Sequence, residues 1–363
     1  MTETVRPSAV AGMPDGVPAV PNPPAIDGLR FRRLVRPDDL TALSDLGNLC
    51  NAADGVSARS TPEDLANWYS PTSHFDPDLD ILLADVDGQP IAMARAGWEL
   101  DNDGGHDYAT WGVVHRDWRR RGLGSALLHW TEARQRQVAA GHSLAIPKRM
   151  ESWSMVQEVG RNALLEVNGY APVRYWFDME RPDLEHIPDS SLPDGFEFRP
   201  AREEDAREAW NVEIAAFRDH FGGMDQTEDA YRQQLNEPNR DISLWALVWH
   251  EGRIVGESLN RIKRAENEAL GVKRGWVIAV AVLADFRRRG LGRAIVAQSL
   301  RQLREAGMTS ARLGVDAENP HGALGIYEGL GFSVVERGRI YRKPLSPAPA
   351  HPEARGSSRR PAR

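Results

Sequence analysis

The chain has 363 residues, a formal net charge of −7, 27% charged and 41% hydrophobic residues, and a single cysteine, Cys50. This length leaves room for two domains of ordinary size, each able to bury a core. One cysteine excludes an intrachain disulfide framework and a Cys-rich zinc or iron–sulfur site, and the acidic balance disfavours a general nucleic-acid binder.

In chain order, residues 1–27 are rich in Pro, Ala and Gly and show no apolar period, so a disordered tail is expected there. The first domain is expected over 28–182. A short strand near Arg32 leads into an irregular helical stretch. A hairpin strand over 81–86 then turns at Asp87-Gly88. Residues 183–195 (DLEHIPDSSLPDG) are rich in Pro, Asp and Ser and read as a linker. The second domain, 196–345, repeats the pattern. A strand over 244–249 turns at Glu251-Gly252, and a further strand covers Trp276–Val282. A helix over about 291–306 carries Ile295, Val296, Ser299, Leu300 and Leu303 on one face and stops at Gly307. The strand ARLGVD follows, then a helix from about Pro320 to Gly329 and two short strands. Residues 346–363 read as a second disordered tail. No run of about eighteen apolar residues and no signal-peptide pattern is present, so a cytoplasmic protein without membrane contact is expected.

The two domains are copies of one unit. RFRRLVRPDD echoes FEFRPAREED, ILLADVDGQPIA echoes LWALVWHEGRIVG, and VNGYAPV echoes GLGFSVV. A period of this length means a duplicated domain, with an α/β, mixed-sheet architecture in tandem. The chemistry lies in R-x-x-G-x-G, which occurs as Arg119-x-x-Gly122-x-Gly124 and as Arg287-x-x-Gly290-x-Gly292. Both follow an apolar strand and precede a helix. Glycines let the backbone approach a ligand with several N–H groups free, and the helix start adds positive potential. Arg287, Arg288 and Arg289 add formal charge, so the pattern points to a phosphate cradle.

With these motifs the chain resembles the GNAT superfamily of acyl-CoA N-acyltransferases over about 29–345, in two copies. The resemblance implies two tandem GNAT-like domains, each a mixed, splayed β-sheet flanked by helices, with acetyl-CoA as cosubstrate and no metal. Val280, Ala281 and Val282 would pair with the pantetheine arm. Arg287, Arg288, Arg289, Gly290, Leu291, Gly292 and Arg293 would hold the pyrophosphate. Val315, Asn319, Tyr327, Gly331 and Phe332 match the family's spacing. Asn319 would bond the pantetheine arm, and Tyr327 would act as general acid toward the sulfur. The first copy has Leu165 and Gln157 in place of Tyr327 and Asn319. It also has Arg116 where the second copy has Ala284. It would keep a cradle, formed by Gly112, Val113, Val114, Arg119, Arg120, Arg121, Gly122, Leu123 and Gly124, but no proton donor. A degenerate first copy, AAFRDHFGG at 215–223 and the joint LPDGFEFRP look like the two-domain group that includes mycothiol synthase.

The resemblance implies direct acetyl transfer to a primary amine in the second copy. The Val282 N–H would stabilise the oxyanion. Glu257, Asp219, His220 and Tyr341 are the candidates for the base; His220 could instead contact the acceptor. Trp245, Trp249 and Trp276 read as core. Segment 210–240 holds Glu213, Asp219, Asp225, Glu228 and Asp229, which suits a cationic small-molecule amine. A monomer or homodimer is expected. Two other readings stay open at this point: a non-catalytic acetyl-CoA-binding regulatory protein, and a protein lysine acetyltransferase.

Overall fold

The computed structural model describes residues 19–319 and 321–345. The first copy runs β1 (Arg30–Arg32), α1 (Leu40–Ala53), α2 (Pro62–Trp68), α3 (Pro77–Asp80), β2 (Ile81–Val86), β3 (Gln89–Leu100), β4 (His106–Val114), α4 (Leu123–Ala140), β5 (Lys148–Met155), α5 (Val159–Val167) and β6 (Ala171–Arg181). The second runs β7 (Glu197–Arg199), α6 (Ala206–Ala216), α7 (Glu228–Leu235), β8 (Arg240–His250), β9 (Arg253–Arg261), α8 (Arg264–Leu270), β10 (Arg274–Trp276), β11 (Ala281–Val282), α9 (Leu291–Glu305), β12 (Ser310–Asp316), α10 (Ala323–Glu328) and β13 (Ser333–Pro344).

Local chemistry explains the boundaries. Thr61 and Asp64 form a capping box at the start of α2, with Pro62 in its first turn. The two hairpins turn through Asp87-Gly88, with φ of 52° and 77°, and Glu251-Gly252, with φ of 50° and 82°. Two consecutive left-handed residues make the turn whose twist matches the flanking strands. On α9, Ile295, Val296, Leu300 and Leu303 are fully buried, as the helical spacing predicts.

All thirteen strands except β11 lie on one hydrogen-bonded path, β1-β2-β3-β4-β5-β13-β6-β12-β10-β9-β8-β7, and β11 pairs with β9. The expectation of two short closing strands per copy is corrected here. Each copy closes with one long strand, and the two are exchanged. β13 of the second copy lies antiparallel to β5 of the first, from Gly338↔Met155 to Pro344↔Arg149. β6 of the first copy pairs with β12 of the second, from Ala311↔Arg181 to Asp316↔Trp176. The 28–182 and 196–345 units therefore interlock. Alternation along a strand fixes its faces but not which neighbour it pairs with, so the exchange left no trace in the sequence pattern. Ion pairs cross the seam: Arg342 contacts Asp101 (2.8 Å), Asp107 (2.6 Å) and Glu151 (2.7 Å), and Arg174 contacts Asp316 (2.8 Å).

The tail expectation changes as well. Residues 1–18 and 346–363 lie outside the described residues, but 19–27 are packed: Val20 and Ile26 lie against the Leu123, Leu127 and Trp130 cluster. Segment 183–195 has no strand or helix, yet Leu184 is 1% exposed within the second copy's core, so the joint is anchored. Among the described residues, no helix is long and apolar enough to cross a membrane.

Candidate active site

In both copies the glycine motif makes the same turn. A short 3-10 turn, Arg116–Trp118 or Ala284–Phe286, is followed by an arginine in extended geometry. Next come a left-handed arginine (Arg120, φ 62°; Arg288, φ 61°) and a left-handed glycine (Gly122, φ 89°; Gly290, φ 86°) that begins the helix. The first bonds closing the helices are Ala126 N–H to Gly122 O and Ala294 N–H to Gly290 O. The N–H groups of Leu123, Gly124 and Ser125, and of Leu291, Gly292 and Arg293, have no intrahelical partner, and no side chain caps either helix. This is an anion cradle at the positive end of helices of 18 and 15 residues. At Gly292, a Cβ would meet nothing closer than Ile326 Cδ1 at 3.7 Å.

The arginines divide their work differently from the expectation. Arg287 is not a free phosphate ligand. Its Nε donates to Val282 O (3.1 Å), and its guanidinium donates to Ala216 O (2.6 Å) and Asp219 (2.6 Å). Arg119 repeats this with Val114 O (3.0 Å) and both oxygens of Asp54 (2.6 and 2.8 Å). The first arginine is therefore a staple tying the strand end to the loop after α1 or α6. A second arginine–aspartate equivalence between the copies, Asp54 with Asp219, was the sequence signal for it. Arg289 donates to Asp285 O and lies over Phe286, Arg293 donates to Gly329 O, Arg121 lies over Trp118, and Leu123 and Leu291 are core. Among the described residues, Arg120 and Arg288 make no side-chain hydrogen bond, so theirs is the charge left for phosphate.

The strand feeding the cradle differs between the copies. In the first, β4 pairs with β3 in one unbroken register from Ala92↔Val114 to Leu100↔His106. In the second, the expected strand Trp276–Val282 is broken. Leu259 N–H reaches Ile278 O and Ala281 pairs with Glu257, leaving two residues opposite one on β9, with Ala279 at φ 50°. This is a β-bulge. Below it, Val277 N–H still donates to Arg312 O on the far side, and beyond it the two strands part. Leu283 N–H donates to Val255 O on β9, so by alternation the N–H of Val282 faces the open side.

Tyr327 packs against Phe332 and is 7% exposed; burial pushes its hydroxyl up to about 12. Among the described residues that hydroxyl has no hydrogen-bond partner. Asn319 Oδ1 accepts from His321 N–H (2.9 Å), and among the described residues its amide nitrogen makes no hydrogen bond. In the first copy, Leu165 is buried with Met150, Tyr170 and Tyr341, and Gln157 stands where Asn319 does.

The base candidates separate clearly. Tyr341 lies in the first copy's half through the strand exchange, and its hydroxyl donates to Glu166 (3.0 Å), so it is removed from the second copy's site. Asp219 is held at about 2 by Arg287 and cannot act as a base near neutrality. His220 lies 4.4 Å from Phe217, and burial holds its pKa below the usual range. Glu257 is 0% exposed, neither carboxylate oxygen has a partner, and burial raises its pKa well above normal. It keeps its proton. Glu213, on α6, also faces this side; burial raises its pKa to about 7, and Gln234 lies 3.5 Å from its carboxylate. The first copy has Gly47 and Met93 at the positions of Glu213 and Glu257. Trp245 is core, as expected. Trp276 is half-buried, with its indole N–H on Glu266 (3.0 Å).

One contributor came from the wrong copy to be visible in the sequence. Asn102, in the β3–β4 loop of the first copy, donates to the carbonyls of Phe217 (2.9 Å) and His220 (3.0 Å). Gly223 lies so close that a Cβ there would overlap Leu100 O. The loop Phe217–Gly223 is thus held by the first copy at one side and by Arg287 at the other.

One sheet that opens at two places, between β4 and β5 and between β10 and β12, each beside a helix-start cradle, defines an acyl-CoA-dependent transferase fold. The signature of the acetyltransferase (GNAT) family matches residues 45–157 and 204–332, and the chain belongs to that family, in two tandem copies; it is an acetyl-CoA-dependent acyltransferase. Among its relatives is a mycothiol acetyltransferase of Nocardiopsis dassonvillei, 29% identical over 84% of this chain and 93% of that protein. Another, from Thermomonospora curvata, is 31% identical over 64% of this chain and 72% of the relative. A solved GCN5-related N-acetyltransferase from Sphaerobacter thermophilus superposes with a TM-score of 0.69 at 25% identity, over 89% of this chain and 97% of its own.

Proposed function

We propose that the second copy transfers an acetyl group directly to the primary amine of a small molecule. The observation supporting this is the bulge at Ala279, beyond which the Val282 N–H faces away from β9; the Tyr327 hydroxyl would lie near the thioester. Acetyl-CoA, when bound, supplies an acetyl group on a thioester that an amine can attack. The Arg288 side chain and the N–H groups of Leu291, Gly292 and Arg293 would hold its diphosphate. The Val282 N–H is fixed in advance for a developing negative oxygen, which needs no reorganisation. Tyr327 keeps its proton at neutral pH and donates a hydrogen bond to the leaving sulfur. With a pKa near 12 against a thiol near 8.5, full proton transfer is uphill and hydrogen bonding dominates. Glu213, near 7, is matched to take a proton from an ammonium, directly or through water, while Glu257 beneath stays neutral.

The acceptor fits the cationic amine class, with Glu213 on α6 to receive its charge, since Asp219 and Asp225 are engaged by Arg287 (2.6 Å) and His74 (3.1 Å). A narrower reading, acetylation of a cysteinyl amino sugar, is favoured by the mycothiol acetyltransferase relatives, which match most of the chain. The test is release of free CoA from acetyl-CoA with a panel of amines that includes cysteinyl amino sugars and aminoglycosides. Amine-dependent release with an acetylated product supports the reading. Binding of acetyl-CoA with no turnover across the panel would favour a regulatory binding protein.

A further inference from the structure

The first copy's cleft is a cavity of about 580 Å³ running from the cradle, at Arg119, Arg120, Gly122 and Gly124, along Gly112–Val114 to Thr110 and Ser152. Thr110↔Ser152 is the last parallel pair before β4 and β5 part, so that end corresponds to the place where an acyl group would sit. Three side chains there have no counterpart in the second copy. Trp111 and Trp153 stack at 6.4 Å with an interplanar angle of 22°, and the Arg161 guanidinium lies 5.6 Å from each ring. The second copy has its bulge at Ala279, Val315 and Ala323 at the matching repeat positions.

Arg161 lines the cavity and its side chain is 13% exposed. Its Nη1 is buried in an ion pair with Glu158 Oε1 (3.5 Å) that lacks hydrogen-bond geometry, and the other Glu158 oxygen accepts from Met155 N–H (2.6 Å). The remaining charged groups facing the cavity are Asp54, which is taken up by Arg119, and Arg120. The cavity lining therefore carries three guanidinium groups, Arg119, Arg120 and Arg161, against the two carboxylates of Asp54 and Glu158, with apolar walls of Met93, Val113, Leu127 and Leu164 between the cradle and Arg161.

We propose that the first-copy cleft binds a CoA thioester whose acyl group ends in a carboxylate, of the malonyl or succinyl class, with Arg161 receiving that carboxylate. The proposal rests on the reading of the cradle as a CoA diphosphate site. A ligand carboxylate would pair with the part of the guanidinium that Glu158 does not hold, and the two tryptophan faces would flank it. Acetyl-CoA offers nothing to Arg161, while the second copy, with small apolar residues at these positions, suits acetyl. Leu165 provides no hydrogen bond to a leaving sulfur, so the ligand would be held and not consumed.

The test is calorimetric titration of the full chain with succinyl-CoA, acetyl-CoA and CoA, alongside the acetyl-transfer assay. Succinyl-CoA should bind one site at least about tenfold tighter than acetyl-CoA, the range a charge-assisted hydrogen bond supplies. Gly124→Glu should remove that site. Arg161→Gln should lower succinyl-CoA affinity roughly 10–100-fold, with acetyl-CoA binding and acetyl transfer unchanged. Arg161→Lys keeps the charge without the fork and should fall between the two. Equal binding of succinyl- and acetyl-CoA by the wild-type chain overturns the proposal whatever the variants do. So does a succinyl preference that survives Arg161→Gln or Gly124→Glu. If the preference stands while no amine is acetylated, the proposed transfer fails and this site remains. If transfer occurs without the preference, the reverse holds.

Discussion

The two copies share a cradle down to the φ angles of its left-handed arginine and glycine, and differ in almost everything that a reaction needs. The first copy has an unbroken strand, a leucine where the tyrosine stands, and Gly47 and Met93 where the second has Glu213 and Glu257. The second copy has a bulge, a hydroxyl without a partner and two carboxyls driven upward by burial. Binding an anion needs only backbone geometry and a helix start, which tolerate drift in side chains. Chemistry needs particular groups held at particular points, so under the proposed function it is the first thing a diverging copy would lose. The first copy retains a structural hold on the second through Asn102, β6 and the seam of arginine–carboxylate pairs.

The largest effect should come from placing a carboxylate in one cradle at a time. Gly292→Glu should abolish acetyl transfer, because its charge repels a diphosphate in the cradle, while Gly124→Glu should leave most of it. Transfer rates with circular dichroism to verify folding settle the comparison; a dead Gly124→Glu enzyme would reverse the assignment of the copies. Next is Tyr327→Phe, which should lower turnover roughly 10–10³-fold with little change in acetyl-CoA affinity, since the ring still packs. Unchanged turnover would take the hydroxyl out of the reaction.

A smaller effect concerns pH. Glu213 has a folded pKa of about 7 against an ordinary 4.5, so the folded state holds a proton that the unfolded chain releases. Stability from this group is full below about 4.5, falls as the pH rises to about 7, and then levels. Glu213→Gln should gain melting temperature relative to wild type across that window and lose the acidic limb of the rate profile. A constant difference in melting temperature from pH 4.5 to 7.5 would show that the group titrates normally. The mildest change is Asn102→Ala, which frees the carbonyls of Phe217 and His220. It should raise the KM for the amine a few-fold while that for acetyl-CoA stays level, as measured by steady-state kinetics. An effect on acetyl-CoA alone would place the loop on the cofactor side.

Much was legible in the chain before any coordinates. The paired R-x-x-G-x-G turns, the duplication, the hairpin turns and the α9 face all follow from local rules, and each appears where the pattern placed it. Leu165 against Tyr327 also marked the first copy as lacking a proton donor. The errors are those of long range. Arg287 looked like a phosphate ligand because the motif shows its charge and hides Asp219, 68 residues away, which holds it. Tyr341 looked like a candidate base because it lies in the second copy's stretch of sequence, whereas β13 carries it into the first copy's half.

The sequence by itself determined the repeat, the class of fold and the cradle, because glycine φ preferences, helix starts and hydrophobic period act between residues close in the chain. Only the tertiary structure decided which strands close which sheet, which carboxyls are buried far enough to hold a proton near neutrality, and which arginines are already engaged. Those depend on desolvation and on partners brought together from distant segments, and neither is encoded in any single stretch of residues.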